Sequence, residues 1–332
     1  MHPRRAGAAT RSWGFEWRWR RRDHACDSMP AMSRHPSTNS VAGHPARAAA
    51  RPRRKGWALA LASVLMLGTL AGCATLEEKQ RQWIFQPSKN TWWAGAQAAE
   101  GMRDVWIDFT SPTSGEAVRL HGLWHAHEHG DAPVLLYLHG ARFDVRGSAP
   151  RIRRMQQLGF SVLAIDYRGF GRSTEQLPSE DMAYEDARAA WDWLARQAPK
   201  RPRFIFGHSL GGAIAVHLAT EVGDEAGLIV EGSFTSIPDV VSTFRWGWLP
   251  VSGLITQRFD AAARIGRVGA PVLVVHGSED RLIRPDLGRA LYERASTPKR
   301  FVLVEGGSHH NTNAVGQDLY RQALRELFGL RV

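Results

Sequence analysis

The sequence predicts an α/β fold, in which a mostly parallel sheet is covered by helices on both faces. Short continuous apolar runs, typical of strands buried on both sides, alternate with segments whose apolar residues recur at helical spacing. One run, Phe204–Phe206, is followed by a Gly-x-Ser-x-Gly turn and then by a helical pattern from Ala213 to Leu218. Strands that alternate with helices favour a parallel sheet, because parallel neighbours need a crossover connection.

The predicted elements can be placed in chain order. Alternation of apolar and polar residues predicts an antiparallel pair at the start, and continuous apolar runs predict the later strands. The predicted strands are Val105–Phe109, Val118–Trp124, Pro133–Leu138, Ser161–Ile165, Phe204–Phe206, Leu228–Val230, Val272–Val275 and Phe301–Val304. Apolar residues three and four positions apart predict helices. Besides the helix after the turn, these are Arg151–Leu158, Ala183–Ala195 and one amphipathic helix over Ala314–Phe328.

The first hundred residues differ in character from the rest. Residues 51–73 contain a charged stretch, an apolar run from Trp57 to Leu70 that is short for a membrane span, and small residues before Cys73. This pattern resembles the lipobox of bacterial lipoproteins. The resemblance implies that Cys73 is lipidated and begins the mature chain. Ala74 after the cysteine favours the outer membrane, facing the periplasm; an uncleaved signal anchor is the alternative.

Three further segments complete the predicted organisation. Residues 1–50 lack apolar periodicity and precede an already complete signal, so they are either disordered or the product of a mis-assigned start. Translation would then begin at Met29, Met32 or a codon such as that of Val41. Residues 74–100 are predicted to form a stalk or amino-terminal segment, and residues 101–332 the folded domain.

The charge distribution argues against a nucleic-acid partner. The formal net charge is +11, but residues 1–72 hold 13 Lys and Arg against three acidic residues, which leaves about +1 on the remainder. A nearly neutral body without a basic stripe does not suggest nucleic-acid binding. The two cysteines, Cys26 and Cys73, both precede the body, so neither a disulfide nor a cysteine zinc site is expected there. We expect no cofactor and no metal, and a monomer.

Ser209, at the centre of the Gly-x-Ser-x-Gly turn, is the candidate nucleophile. A serine on a sharp strand-to-helix turn is held in a strained backbone conformation, and side chains two residues to either side would collide. Gly207 and Gly211 remove those side chains. The following helix directs its positive end towards negative charge that forms at the serine.

A serine hydroxyl needs a base, and the base needs a third group to orient it. Asp280 follows the strand Val272–Val275 and is the preferred acid; Glu231 and Glu279 are its rivals. Two adjacent histidines follow the last strand in a glycine-rich loop, and either His309 or His310 is placed to act as the base. The backbone N–H groups of Leu210 and of Ala141, in the loop after Pro133–Leu138, are the predicted oxyanion donors.

From about Trp83 to its end, the chain resembles the α/β-hydrolase superfamily, and within it the Bem46/ABHD17-like, S9-peptidase-like serine hydrolases. The matching motifs are His-Gly at 139–140, D-Y-R-G-F-G-R-S at 166–173, G-H-S-L-G-G at 207–212, H-G-x-x-D at 276–280 and G-x-x-H at 306–309. The resemblance implies Ser209 as nucleophile, Asp280 as acid and His309, rather than His310, as base. One departure is Ala141, followed by Arg142, where the family commonly has Asn.

The resemblance to the α/β-hydrolase superfamily also implies a cap over about residues 234–260. This segment is too short for a large lid, and Trp246 and Trp248 make it apolar, so we expect a small cap that lines an acyl pocket with Arg142 nearby. Packing of these residues on the core is an equally open reading. The intact Ser-Asp-His order favours a serine hydrolase of a small-molecule ester or thioester. A peptidase or amidase of the same fold, and a lipid-anchored binding protein without activity, are the alternatives.

Overall fold

The structure is a computed structural model that describes residues 63, 66, 72, 74–91, 93–244, 247, 252–296 and 298–331. The predictions for residues 1–50, for most of the signal segment including Cys73, and for Trp246 and Trp248 therefore lie outside the described residues. Within the described part of the chain, no helix combines the length and apolar character needed to cross a bilayer.

The described residues form an eight-stranded sheet in the order β1-β2-β4-β3-β5-β6-β7-β8. Its first two pairings, β1 with β2 and β2 with β4, are antiparallel, and all the others are parallel. The strands are β1 (Arg103–Thr110), β2 (Ala117–His125), β3 (Val134–Leu138), β4 (Ser161–Ile165), β5 (Arg203–His208), β6 (Gly227–Glu231), β7 (Val272–Gly277) and β8 (Lys299–Val304). The predicted antiparallel start and the parallel remainder are both confirmed.

Helices cover both faces of the sheet, as predicted. Their bounds are α1 (residues 74–85), α2 (Trp93–Ala98), α3 (Ala149–Gln157), α4 (Glu180–Gln197), α5 (Leu210–Glu221), α6 (Ile237–Ser242), α7 (Pro285–Arg294), α8 (Thr312–Val315) and α9 (Gln317–Phe328). Short 3₁₀ helices lie at Val145–Ser148, Ser252–Leu254 and Ile265–Arg267. One apolar core joins the sheet to α4, α5 and α7, and a second joins its other face to α3 and α9. The sheet therefore separates two cores.

The carboxyl-terminal helix is not continuous, so the prediction of one helix over Ala314–Phe328 was wrong at its start. The structure has α8 and α9, separated at Gly316. A Cβ on Gly316 would lie 2.7 Å from the Cγ2 atom of Val304, which shows how closely the break approaches β8. The apolar pattern alone did not reveal this contact, because it depends on a strand that lies elsewhere in the sequence.

The segment predicted as a stalk is joined to the body. Helix α1 ends in Ile84 and Phe85, which are both buried in the core with α4 and α5. The ring of Phe85 meets Phe259 edge-on at 5.6 Å between centroids. The Arg81 guanidinium donates to the carbonyls of Leu177 and Pro178. The end of α1 is thus fixed against the body, beside the carboxyl ends of the parallel strands.

Candidate active site

Ser209 stands between β5 and α5 with φ 56° and ψ −122°, a conformation rarely adopted by residues other than glycine. The predicted crowding around it is present. A Cβ on Gly207 would lie 2.2 Å from the carbonyl oxygen of Gly211, and one on Gly211 would lie 2.1 Å from that of Leu138. Neither position has room for a side chain, so the two glycines allow the turn to form.

The structure brings Ser209, His309 and Asp280 together from three loops that follow parallel strands. The His309 Nε2 atom lies 3.0 Å from Ser209 Oγ, and His309 Nδ1 lies 2.7 Å from Asp280 Oδ2. The ring of His309 is buried, as is the carboxylate of Asp280. With Nδ1 protonated and bound to the carboxylate, Nε2 is free to accept the serine proton.

The Asp280 carboxylate is held in its charged form. Its Oδ1 accepts the backbone N–H groups of Leu282 at 3.0 Å and Ile283 at 2.8 Å. Burial by itself would raise the pKa of Asp280. Hydrogen bonds from His276, His309 and the Ile283 backbone outweigh burial and hold this pKa below its ordinary value. A carboxylate that stays charged is suited to orient an imidazole.

The alternative residues weighed from the sequence occupy other environments. Glu279 is exposed, and its backbone N–H donates to the carbonyl of Gly307. Glu231 is fully buried but accepts from Arg151 Nε at 2.8 Å and from the Tyr320 hydroxyl. His310 is exposed, with its ring edge-on to that of His309. Of the three carboxylates, the geometry therefore places only Asp280 against the His309 ring.

His208 is a support for the site that the sequence did not reveal. Its Nε2 lies 3.0 Å from the carbonyl oxygen of His309 and therefore donates a hydrogen bond to it. Burial, and then the positive charge of Arg151, lower the pKa of His208 well below its ordinary value, so the ring is neutral. Arg151 also reaches the carbonyl of His310 through Nη2, at 3.4 Å. These two hydrogen bonds thus hold the backbone of the loop that carries His309.

The predicted oxyanion donors line the same cavity as Ser209. Leu210 is the first residue of α5, and its N–H has no partner within the helix. The N–H of Ala141 takes part in none of the backbone hydrogen bonds of the described loops. A Cβ on Gly140 would lie 3.0 Å from the Cβ of Ser209, so the loop approaches the serine closely. Both N–H groups are therefore available to a ligand beside Ser209.

The end of α1 is hydrogen-bonded to the oxyanion loop, the loop after β3 that contains Ala141, and no sequence pattern predicted this contact. Arg142 (φ 76°) and Gln86 (φ 47°) both have left-handed backbone conformations. The Arg142 N–H donates to the carbonyl of Phe85 at 2.9 Å, and Arg142 Nε donates to Gln86 Oε1 at 2.9 Å. These two bonds fix the residue directly after Ala141. The amino-terminal segment is therefore part of the site.

The D-Y-R-G-F-G-R-S motif has a structural role near this loop. Asp166 Oδ1 accepts the backbone N–H of Val145 at 2.6 Å, and Asp166 Oδ2 binds His121 Nδ1 at 2.7 Å. A Cβ on Gly171 would lie 2.1 Å from the carboxylate of Asp166, so glycine is required beside it. Asp166 thus orders the segment between β3 and α3, which begins with the oxyanion loop.

A cavity of about 460 Å³ opens at Ser209. One wall is apolar and comes from Phe234, from α6 and from the loop after Asp280, whereas Arg142 and His310 supply polar groups. The apolar lining consists of Trp83, Ile84, Phe143, Leu210, Phe234, Ile237, Val240, Val241, Phe244, Leu282 and Ile283. The described residues of segment 234–260 thus include some that pack on the core and some that line the cavity. A groove of about 530 Å³ between β1 and α4 contains none of the three site residues.

In the described part of the chain, no three His, Cys, Asp or Glu side chains are grouped so that they could hold a metal ion. The site consists of a serine, an imidazole, a carboxylate and two backbone donors around an apolar cavity. This set of groups is suited to acyl transfer.

Comparison with known families agrees with this geometry. The Hydrolase_4 family model, described as serine aminopeptidase S33, matches residues 131–260 and 238–313, which together span more than half of the chain. The chain belongs to this family of α/β hydrolases. An uncharacterized protein of Mycobacterium tuberculosis is 32% identical over 271 residues, which cover 81% of this hydrolase and 94% of that protein. The lysophosphatidylserine lipase ABHD12 of Danio rerio is 31% identical over 186 residues, covering 50% of this chain and 48% of its own.

Solved structures show the same fold. An esterase of Pyrococcus furiosus superposes with a TM-score of 0.58 at 19% identity, over 73% of this hydrolase and 99% of that chain. A puromycin-hydrolyzing peptidase of Mycobacterium tuberculosis gives 0.55 at 17% identity, over 69% of this chain and 40% of that one. The predicted α/β-hydrolase fold is confirmed.

Proposed function

We propose that this hydrolase cleaves a carboxylic ester, or a thioester, through an acyl-enzyme formed on Ser209. The observation that carries the proposal is the chain of contacts from Asp280 through His309 to Ser209, at 2.7 and 3.0 Å, beside two backbone N–H groups. A binding protein without activity would not need these three side chains and two N–H groups at one point, since each serves a separate part of acyl transfer.

In the proposed mechanism, His309 Nε2 takes the hydroxyl proton as Ser209 Oγ attacks the ester carbonyl carbon. The N–H groups of Ala141 and Leu210 bind the oxygen that becomes negative. The tetrahedral species collapses, the bond to the alcohol oxygen breaks, and His309 returns the proton to that oxygen. Water then attacks the acyl carbon with His309 again as base, which releases the acid and restores Ser209. Asp280 stabilises the imidazolium in both halves.

The lining of the cavity supports an apolar acyl group. Phe234, Ile237, Val240 and Val241 provide a surface without charge, and each methylene buried on such a surface contributes about 0.8 kcal/mol. The cavity volume of about 460 Å³ suits one short or medium chain better than a triglyceride. The relative from Danio rerio is a lysophosphatidylserine lipase, which is consistent with a single-chain lipid ester as substrate.

A peptidase is the second candidate. The family description names a serine aminopeptidase, and one structural neighbour hydrolyses puromycin. Amide cleavage uses the same tetrahedral chemistry, but it needs a group that holds the leaving amine. The described cavity wall offers Arg142 and His310, which are cationic or neutral, and no carboxylate to receive an amino terminus. We therefore rank esterase above peptidase.

The test uses Ser209→Ala and a series of p-nitrophenyl esters from acetate to palmitate. The wild type should react with a fluorophosphonate probe and hydrolyse these esters, with kcat/KM rising with chain length and then falling. The variant should stay folded but lose labelling and about a thousandfold or more of its activity. Undiminished labelling would remove Ser209 from the mechanism. A peptide series cleaved faster than every ester would favour the peptidase.

We also propose that the chain is attached to a bacterial membrane by lipid on Cys73, in the outer membrane facing the periplasm. The support is the sequence of residues 51–73, with its apolar run and small residues before the cysteine. Mass spectrometry of the membrane-extracted protein should give an acylated amino terminus at Cys73. An unmodified amino terminus upstream of residue 73 would refute the anchor.

A further inference from the structure

Large apolar side chains are exposed around the entrance of the Ser209 cavity. Trp83, Phe143, Phe244 and Leu282 all line this cavity, yet each leaves between 42% and 53% of its surface accessible. Trp83 and Phe244 meet edge-on, with ring centroids 6.4 Å apart. A cluster of exposed aromatic and aliphatic residues at a cavity mouth marks an interaction surface.

The cluster extends along α1. Leu76 lies seven residues before Trp83, so both are on one face of the helix, and Leu76 is 43% exposed. Between them, Gln80 Nε2 donates to the carbonyl of Leu254 at 2.7 Å, and the Leu254 side chain is 59% exposed. We call these six residues the apolar rim. They are Leu76, Trp83, Phe143, Phe244, Leu254 and Leu282.

Two exposed arginines adjoin the rim in sequence. Arg142 precedes Phe143, and Arg281 precedes Leu282. Basic residues next to exposed aromatic and aliphatic side chains are the combination by which proteins bind the interface of an anionic bilayer.

The sequence that precedes α1 favours the same occupant. The apolar run Trp57–Leu70 and Cys73 lie immediately upstream of α1 in the sequence. At 1.5 Å per helical residue, residue 74 is only about 14 Å along the helix from Trp83. A membrane-seeking group at the start of α1, whether the apolar run or a lipid, would therefore keep the rim within reach of the bilayer surface.

We infer that the apolar rim docks on a lipid bilayer, so that the cavity opens towards the membrane and takes its acyl ester from there. The inference rests on the proposed ester hydrolysis and narrows its substrate class to single-chain amphiphiles that reside in the membrane. An acyl chain could then pass from the bilayer to the apolar wall of the cavity without full exposure to water, which removes the cost of hydrating it.

The contact itself can be measured with a fluorophore on the full chain in phosphatidylethanolamine–phosphatidylglycerol vesicles that contain nitroxide-labelled lipid. The label is placed at Leu254→Cys, or at Leu319→Cys on α9 as the matched control, with Cys26→Ser in both. The same chain without the added cysteine is the labelling blank. We expect lipid quenching at position 254 and little at position 319. Equal quenching at both positions would overturn the inference.

A kinetic measurement separates docking from chemistry. The double variant Leu76→Ser/Leu254→Ser changes rim residues that do not line the cavity, and Val315→Ser/Leu319→Ser is a control of similar exposure. The rim variant should keep its rate on a soluble butyrate ester but lose about fivefold or more on a single-chain ester embedded in vesicles. The control should keep both rates.

The remaining outcomes are distinguishable. Equal vesicle rates for the rim variant and the control would overturn docking while leaving ester hydrolysis intact. A wild type that hydrolyses no soluble ester would instead refute the proposed function, and quenching at position 254 would still report docking. A label at position 254 that is shielded both from lipid quencher and from iodide, in particles containing two chains, would assign the rim to a second copy and overturn the lipid assignment.

Discussion

Three residues with left-handed backbone conformations surround one cavity. Among the described residues, the non-glycine positions with positive φ are Gln86, Arg142, Ser209 and Phe259, and the first three line the cavity. The fourth, Phe259, packs against Phe85, the neighbour of Gln86. Each such conformation costs of order 1–3 kcal/mol and persists where its surroundings fix it. At the residue scale, strain is therefore concentrated at the proposed nucleophile and beside the proposed oxyanion donor Ala141.

The two adjacent histidines should differ sharply on substitution. His309→Ala removes the ring that lies 3.0 Å from Ser209 Oγ, so kcat should fall by about a thousandfold or more. His310→Ala removes an exposed ring that touches neither Ser209 nor Asp280, and its kcat should stay within a few-fold of wild type. Ester hydrolysis and fluorophosphonate labelling measure both. A larger loss in His310→Ala than in His309→Ala would contradict the assignment.

Gln86 is a positioning residue for the oxyanion loop. Gln86→Ala removes the acceptor of Arg142 Nε, so kcat should fall roughly threefold to tenfold with little change in KM for a short ester. Affinity for a boronic acid that mimics the tetrahedral species should fall in parallel. Gln86→Glu retains an acceptor, so kcat and the affinity for the boronic acid should both stay close to their wild-type values. Gln82→Ala, one turn earlier on α1, is the control; a matching loss there would mean that α1 is merely destabilised.

At the scale of elements, the site is assembled where neighbouring parallel strands end. The oxyanion loop follows β3, Ser209 follows β5, Asp280 follows β7 and His309 follows β8. Because these strands are parallel, their carboxyl ends lie along one edge of the sheet, and the loops meet there. Helices α1 and α6 add the walls of the cavity. The catalytic geometry is thus set by strand order, and the shape of the cavity by the helices.

The wall from α6 should control acyl length. Val241 is half-buried and lines the cavity. The larger side chain of Val241→Phe should therefore fill part of the cavity volume without overpacking the core. The chain length with the highest kcat/KM should become shorter by roughly two carbons. The p-nitrophenyl ester series measures this, and Val315→Phe, at an exposed position of α8, is the control. An unchanged profile in Val241→Phe would place the acyl chain elsewhere.

At the scale of the whole molecule, folding buries several histidines in neutral form. Burial lowers the pKa of His139 and His208, and burial followed by the charge of Arg264 lowers that of His217 to about 4. In the unfolded chain these side chains titrate near 6.5. The unfolded state therefore binds more protons than the folded state below that pH. The contribution of these neutral histidines to the free energy of unfolding is fully present above pH 6.5 and is lost as pH falls.

Acid should accordingly lower the melting temperature through these histidines. We expect Tm to fall between pH 7 and pH 4.5, and to fall less in His217→Gln, which is neutral throughout and still fits beside Tyr184. Thermal unfolding in detergent at a series of pH values measures this. His129→Gln, at an exposed loop position, is the control with an unchanged slope. A pH-independent Tm over this range in the wild type would contradict the prediction.

The sequence by itself determined the sheet, the chain order of Ser209, Asp280 and His309, and the glycines of the serine turn. These follow from local patterns: buried strands have continuous apolar runs, and a strained turn demands glycine at fixed offsets. Adjacent Glu279 and Asp280, or His309 and His310, carry the same local signal. The motif resemblance favoured Asp280 and His309, and the fold separates the members of each pair by burying one of them.

Tertiary structure alone decided the features that depend on distant contacts. The clamp between Gln86 and Arg142, the support of the His309 backbone by His208, and the break at Gly316 each join segments far apart in the chain. The same is true of Glu231, whose carboxylate accepts hydrogen bonds from Arg151 and Tyr320. No periodicity or motif encodes such pairings, because the partner's position is set by how the sheet twists and how the helices pack on it.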